Sequence, residues 1–269
     1  MKLAVVGKGG VGKTTVAGTL ARLIGRDGNS VLAVDADPNY NLWSAIGIQQ
    51  SRASKIVPLL NDENLVHDRT RSKIVRVLGD YFALNPRVDD IADKFAVDGP
   101  DNVRLLVAGT VTMGDSGCMC PSAALLKSLI QHLALQENET LIMDMDAGIE
   151  NMGRGTTKGM DALLIVVEPG KRSLETLGRI KKLAADIGTD RVFAVANRVD
   201  GESDRKIIEE YASEHGVKIL AYIPVDRKLK LADLKGIAPL DMMETGPAIE
   251  ELKGLKKKLD SVLNDDNLN

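Results

Sequence analysis

Short, unbroken apolar runs alternate along this chain with longer stretches in which apolar residues recur every three or four positions. The runs fall at residues 2–6, 31–34, 105–107, 141–143, 162–167, 192–195 and 219–223. Each is too short for a helix and lacks the in-out alternation of a strand with one wet face, so each predicts a strand buried on both sides. Helical spacing occupies 13–26, where Ala17, Leu20, Ala21 and Ile24 share one face, and returns at 121–135, 171–187, 202–214 and 247–263. Buried strands alternating with helices predict an α/β fold, a mostly parallel sheet with helices on both faces. Ligands then collect at the carboxyl ends of the strands. Residues 49–101 break the rhythm; they are charged and weakly periodic, with Asp89, Asp90, Asp93 and Lys94, and predict an irregular insertion that elaborates the surface. With no internal repeat, low-complexity tract or clean linker, residues 1–269 are expected to form a single domain.

The first run leads directly into Gly7-Lys8-Gly9-Gly10-Val11-Gly12-Lys13-Thr14-Thr15. This fits G-x-x-x-x-G-K-[ST], a loop in which glycines let the backbone curl so that successive N–H groups face a polyphosphate. Lys13 can reach the β- and γ-phosphates, and Thr14 can offer its hydroxyl to Mg²⁺. The helix that starts here adds the positive end of its dipole to the same anion. Gly7, Gly9 and Gly12 also satisfy G-x-G-x-x-G, and Asp35 follows at about the distance where a dinucleotide fold places its ribose-binding acid. Lys13-Thr14-Thr15 argues against a nicotinamide or flavin, because that fingerprint continues into close helix-to-sheet packing, not into a lysine aimed at phosphates. Lys8 stands apart, since a loop that only cradles phosphate has no obvious need for a second lysine.

Composition narrows the partners. Hydrophobic residues make up 44% of the chain and aromatic ones 3%, so the core must be aliphatic. A net charge of −3 gives no sign of a nucleic-acid surface. No apolar run approaches membrane-spanning length, and a first strand beginning at Lys2 leaves no room for a secretion signal. A cytoplasmic protein is expected, in which two cysteines do not serve as a structural disulfide.

Three further segments bear on the phosphate site. Asp35 and Asp37, two apart at the end of the second run, can point to one side of an extended backbone. One can touch the Mg²⁺ shell while the other orients an attacking water, the alternative being a plain strand-to-loop turn. Leu141-Ile142-Met143-Asp144 delivers Asp144 to the Mg²⁺ water shell from an apolar strand, in the manner of a Walker B segment. Asp146 can join the same water network, and Gly148 can let a backbone N–H approach the γ-phosphate. Asn197 closes the run at 192–195; its amide can bond an adenine edge through both donor and acceptor, though strand-end asparagines also serve ordinary turns. The same two readings apply to Pro224 and Asp226.

Cys118-Met119-Cys120-Pro121 holds both cysteines of the chain, just ahead of a predicted helix whose N-terminus favours thiolate. Two thiolates cannot fill a four-sulfur site, but two chains meeting at a two-fold axis can, giving S₄ for Zn²⁺ or Ni²⁺. Small buried hydrophobes and a redox dithiol are the other readings of the pair. His67, His132 and His215 show no ligand spacing and are expected in structural roles.

Taken together, these segments resemble the deviant Walker A ATPases, the group of the nitrogenase iron protein, MinD, ParA and the arsenite-pump ATPases, over most of the chain. The resemblance implies a P-loop NTPase fold of the SIMIBI type and a homodimer that closes across two nucleotides. It implies that Lys8, the lysine early in the loop, reaches the partner's phosphates much as an arginine finger does. It also implies that Asp37 positions or activates the hydrolytic water and that Asn197 reads adenine. Asp35-Ala36-Asp37-Pro38-Asn39, Asp146-Ala147-Gly148-Ile149-Glu150, Gly153-Arg154-Gly155 and the cysteine pair resemble most closely the CooC-type ATPases, which serve nickel insertion into carbon monoxide dehydrogenase or acetyl-CoA synthase. That likeness implies an inter-subunit metal site at Cys118 and Cys120 and a nickel-enzyme client. A nitrogenase-type iron–sulfur donor would need another cysteine after Asp144, which the chain lacks. A MinD- or ParA-like positioning ATPase, cycling on a membrane or partner surface without metal transfer, is the alternative. Residues 247–263 are amphipathic and carry Lys256-Lys257-Lys258, as a membrane-targeting helix would, but end in Asp265-Asp266 without an aromatic anchor. Lys8→Ala is expected to leave nucleotide binding largely intact and to stop turnover, measured by ATP titration and phosphate release; normal hydrolysis would remove the trans role.

Overall fold

The apolar runs assemble into one eight-stranded sheet. In chain order the strands are β1 (Lys2–Val6), β2 (Ser30–Ala36), β3 (Val97–Asp98), β4 (Val103–Val107), β5 (Glu139–Met145), β6 (Ala162–Val167), β7 (Val192–Val199) and β8 (Lys218–Pro224). Their spatial order is β3-β4-β2-β5-β1-β6-β7-β8. All neighbours run parallel except β3, which pairs antiparallel with β4 at the edge. The structure, a computed structural model of the chain, describes residues 1–72, 81–109, 121–133, 139–145, 160–186 and 188–264.

Alternate residues of each strand feed two aliphatic cores. Leu3 and Val5 face one side, packed with helix α1 (Lys13–Arg26) and the last helix (Pro247–Asn264). Ala4 and Val6 face the other, with Leu125 and Leu129 of the helix Pro121–His132, Leu177 of Lys171–Asp186 and Ile208 of Glu202–Glu214. Burial on both faces is why the strands read as unbroken apolar runs.

Five strands, β2, β4, β5, β7 and β8, extend beyond the apolar run that announced them. β2 continues through Asp35 and β5 through Asp144, both fully buried. An apolar-run criterion stops at the first charge, whereas the ladder continues as long as the backbone is paired. Residues 49–101 contain short helices (Gln50–Ala53, Glu63–Thr70, Ile91–Phe95) and the edge strand β3. Leu59, Leu65, Val66, Val88 and Ile91 from this region are buried in the second core. The helix Arg227–Lys235 follows β8 without a periodic signal because Ala232 is its one buried residue.

The C-terminal helix lays Ala248, Ile249, Leu252, Leu255 and Leu259 fully into the first core, against α1 and β8. Lys258 Nζ donates to the Leu220 carbonyl at 2.7 Å, and Lys256 pairs with Asp27. Its apolar face is thus occupied by its own fold. Among the described residues no helix is long and apolar enough to cross a membrane. Leu252→Ala should destabilise the chain by about 2–5 kcal/mol, the usual effect of emptying a packed leucine site. Urea denaturation measures it, and a change below about 1 kcal/mol would show that the helix docks only loosely.

Candidate active site

The chain reverses direction across the sheet at β1. The connection from β1 leads outward past β5 to β2, and the connection from β5 leads past β1 to β6. Such a switch point opens a crevice at the carboxyl ends of the strands. The glycine loop emerges there. Gly7, with φ of 152°, lies so close to β6 that a Cβ would collide with the Val166 carbonyl. Gly12 caps α1 in a left-handed conformation, φ 92°, with no side-chain hydrogen bond to the first turn and no acidic residue in that turn. The helix start therefore keeps its positive end directed at the loop.

Lys13, the first residue of α1, is 5% exposed, and its Nζ lies 3.6 Å from Asp37 Oδ2. Thr14 donates its hydroxyl to Asp144 Oδ2 at 2.5 Å. Asp144 stands directly opposite Asp35 in the β2–β5 ladder. Lys13, Thr14, Asp35, Asp37 and Asp144 thus converge from three chain segments that the sequence separates by up to 130 residues. Lys8 is only partly buried in the same loop, beside the exposed Gly9 and Gly10.

Asp35 has a further role that the sequence did not reveal. Its Oδ1 accepts the Asp37 N–H at 3.1 Å and its Oδ2 the Leu42 N–H at 2.9 Å, so this carboxylate shapes the loop that carries Asp37. Asp37 in turn accepts from the Asn39 N–H and side-chain amide, each at 3.0 Å, which fixes its orientation. Burial raises the pKa of Asp35 to about 7; the Leu42 N–H opposes the rise and the charge of Asp144 adds to it. A buried pair of carboxylates of this kind, with a hydroxyl beside it, is an oxygen donor set of the sort a hard divalent cation takes. The glycine cradle and the directed helix start fit a polyphosphate.

Asn197 lies at the end of β7 and packs against Gly12, where a Cβ would collide with its amide nitrogen. That nitrogen donates to the Val11 carbonyl at 2.7 Å, so part of its capacity is spent on the loop itself. Asp226 accepts from Lys228 N–H at 2.8 Å and Leu229 N–H at 3.4 Å as the N-cap of Arg227–Lys235, and Pro224 ends β8. Gly148, Asp146, Cys118 and Cys120 lie outside the described residues, among which there is no cluster of three or more metal-ligating side chains. Sequence reasoning missed Arg198, whose Nη1 donates to the Gly10 carbonyl at 2.8 Å and meets Glu168 Oε2 at 3.1 Å. Only its position beside Asn197 could have drawn attention to it.

A strand and glycine loop that lead into a helix beginning with Lys13 and Thr14, facing carboxylates from two neighbouring strands, define a P-loop nucleoside-triphosphate site. Residues 3–120 and 122–240 match the CobQ/CobB/MinD/ParA nucleotide binding domain, and the chain belongs to that family of ATPases. It is 42% identical over 242 residues to the carbon monoxide dehydrogenase accessory protein CooC of Rhodospirillum rubrum, covering 90% of each chain. It is 41% identical to an uncharacterized ATP-binding protein of Methanocaldococcus jannaschii, over 88% of this chain and 90% of that one. In fold it is similar to the septum site-determining protein MinD of Pyrococcus horikoshii complexed with Mg-ADP, with a TM-score of 0.68 at 20% identity, covering 97% of this chain and 96% of that one.

The raised pKa of Asp35 has a consequence for stability. Between 3.8 and about 7 the folded chain retains a proton there that the unfolded chain has released. The resulting stabilisation is complete below that window and is lost as pH rises through about 7, each unit being worth about 1.4 kcal/mol. Asp35→Asn should therefore gain stability relative to the native chain as pH rises from about 5 to about 8. Urea denaturation of the nucleotide-free proteins measures this, and a pH-independent difference between them would contradict it.

Proposed function

We propose that the chain is a dimeric, Mg²⁺- and ATP-dependent ATPase that serves nickel insertion into carbon monoxide dehydrogenase or acetyl-CoA synthase. The convergence of Lys13, Thr14, Asp35, Asp37 and Asp144 supports the ATPase chemistry. One observation carries the client assignment, the 42% identity to a carbon monoxide dehydrogenase accessory protein across nine-tenths of both chains. The fold alone would equally suit a MinD- or ParA-like positioning ATPase. Burial of the apolar face of the C-terminal helix removes the segment that favoured a membrane cycle.

In this reading the triphosphate lies along the loop N–H groups, with Lys13 on the β- and γ-phosphates. Thr14, Asp35 and Asp144 would hold Mg²⁺, which when bound supplies charge neutralisation of the phosphoryl oxygens. Lys13 sits within reach of Asp37, so a γ-phosphate competes with Asp37 for the ammonium. Engagement of Lys13 by phosphate releases the Asp37 carboxylate to orient a water and accept its proton. Asn39 keeps that carboxylate aimed while the partner changes. Lys8 from the facing subunit completes the charge stabilisation, which makes turnover depend on the dimer. Asn197, Pro224 and Asp226 border the adenine end, and Gly148 the γ-phosphate. Cys118 and Cys120 of both subunits supply the S₄ set for Ni²⁺ or Zn²⁺, the cargo or the bridge of the closed dimer. Nucleotide and metal then act on one association equilibrium and strengthen each other's binding.

Replacing both Cys118 and Cys120 by serine should lose about one metal per dimer, as expected for a shared S₄ site. It should also abolish the mass doubling that metal produces together with a non-hydrolysable ATP analogue, read by light scattering. Unchanged metal stoichiometry would discard the metallochaperone reading while leaving the ATPase intact.

A further inference from the structure

The carboxyl end of β7 does something that a regular strand cannot. Successive side chains of a strand point to opposite faces. Asn197 and Arg198 are successive, yet both reach the phosphate loop and bond adjacent carbonyls, Val11 and Gly10. Two irregularities make this possible. The ladder to β8 slips here, with Ala196 opposite Tyr222 but Val199 opposite Pro224, so one extra residue is accommodated in β7. Arg198 also takes a left-handed conformation, φ 57°, which residues other than glycine adopt only when the surroundings impose it. A bulge of this kind re-aims a side chain, and bulges concentrate beside active sites.

The guanidinium is itself aimed. Its Nη1 lies 3.1 Å from Glu168 Oε2, and the Glu168 N–H is held by the Ser173 hydroxyl at 3.0 Å, at the start of the helix Lys171–Asp186. Arg198 and Glu168 side chains are 53% and 31% exposed, so the ion pair adds little to folding. A strained residue in a weak, exposed pair is poorly explained as a stabilising device. It is well explained as a device for holding one atom, the Gly10 carbonyl oxygen, on the outer side of the loop. A peptide whose carbonyl is held outward turns its N–H the other way; here that N–H belongs to Val11 and makes a long contact, 3.4 Å, to the Lys8 carbonyl, while Gly10 has φ of 85° with open space around it, so its own residue offers no side chain to set the orientation.

We infer that Arg198, aimed by Glu168, is a positioning residue that pre-sets the Gly10–Val11 peptide of the phosphate loop for nucleotide binding, with Asn197 fixing the next peptide. The inference rests on the loop's role in binding ATP and not on the client or the metal. Because the clasp acts before the phosphate arrives, its loss lowers affinity more than the rate of the bound complex.

Mg-ATP titration of the native chain, four single variants and one double variant by calorimetry, with steady-state kinetics and melting curves of the nucleotide-free chains, tests this. Arg198→Ala should weaken Mg-ATP and Mg-ADP binding about tenfold, with KM rising more than kcat falls. Arg198→Gly should lose the same affinity while its melting temperature is unchanged or higher, because glycine accepts the positive φ without strain. Arg198→Lys should recover part of the loss, since one ammonium can donate to both oxygens that Nη1 now serves. Glu168→Gln, which leaves the bulge intact, should weaken binding by about threefold and add nothing when combined with Arg198→Ala. Affinity within twofold of the native chain for both Arg198→Ala and Arg198→Gly overturns the clasp. So do losses of affinity that only track losses of melting temperature, or additive effects of Glu168→Gln and Arg198→Ala. A native chain that binds no Mg-ATP would remove the nucleotide reading itself, and the clasp with it.

Discussion

Burying two carboxylates side by side is the constraint around which this site is arranged. Asp35 and Asp144 face each other on adjacent central strands, both wholly removed from solvent. Neither desolvation nor mutual repulsion favours two negative charges there. The fold answers with donors: two backbone N–H groups on Asp35 and the Thr14 hydroxyl on Asp144, and the proton affinity of Asp35 rises nonetheless. Each compensating contact ties a separate segment to the strand ends. The loop 36–42 is wound on Asp35, and the first turn of α1 is drawn to β5 by Thr14. A stretch of sheet that would be unfavourable alone therefore becomes the point where the phosphate loop, the Asp37 loop and the central strands are registered against one another.

The loop is held from two further directions. β6 presses on Gly7 from one side, and β7 grips Val11 and Gly10 from the other through Asn197 and Arg198. Behind it, α1 is anchored in mid-course by Arg22, which is 3% exposed and pairs with Asp101 and Asp241 at 2.6 Å each. A buried arginine with two carboxylates adds less to stability than its geometry suggests, but it fixes the rotation of the helix about its axis. That rotation decides where Lys13 and Thr14 point. Rigid support of a small number of polar groups is what a phosphate site requires, since its donors act only when already oriented.

The charges that remain outside this frame are of another kind. The region 49–101 carries the pair of Arg69 with Asp90, joined by Lys94, and the pair of Arg87 with Asp89. These pairs lie at or near the surface, while Leu59, Leu65, Val66, Val88 and Ile91 of the same region sit in the core. Its weak periodicity in sequence follows from that division. Its short helices, of four to eight residues, bury none, three and one of their residues in turn, too few to establish a repeat.

The sequence by itself determined the architecture and the presence of the phosphate loop, because both are written in local patterns. Unbroken apolar runs at regular intervals follow from burial on both faces of a parallel sheet, and the loop's glycines and its Lys-Thr pair are contiguous. It determined that Asp35, Asp37 and Asp144 stand at strand ends, since a charge terminating an apolar run is visible to inspection. What it could not determine is which of those ends meet. The order of strands places β5 between β1 and β2, and that order alone sets Asp144 against Asp35 and Thr14, from chain positions far apart. Nor could it show that Asp35 shapes a loop, that Asn197 and Arg198 turn back on the glycines, or that the amphipathic C-terminal helix is already covered. Those are contacts between segments whose encounter depends on folding, where packing of the whole core, not local propensity, chooses the partner.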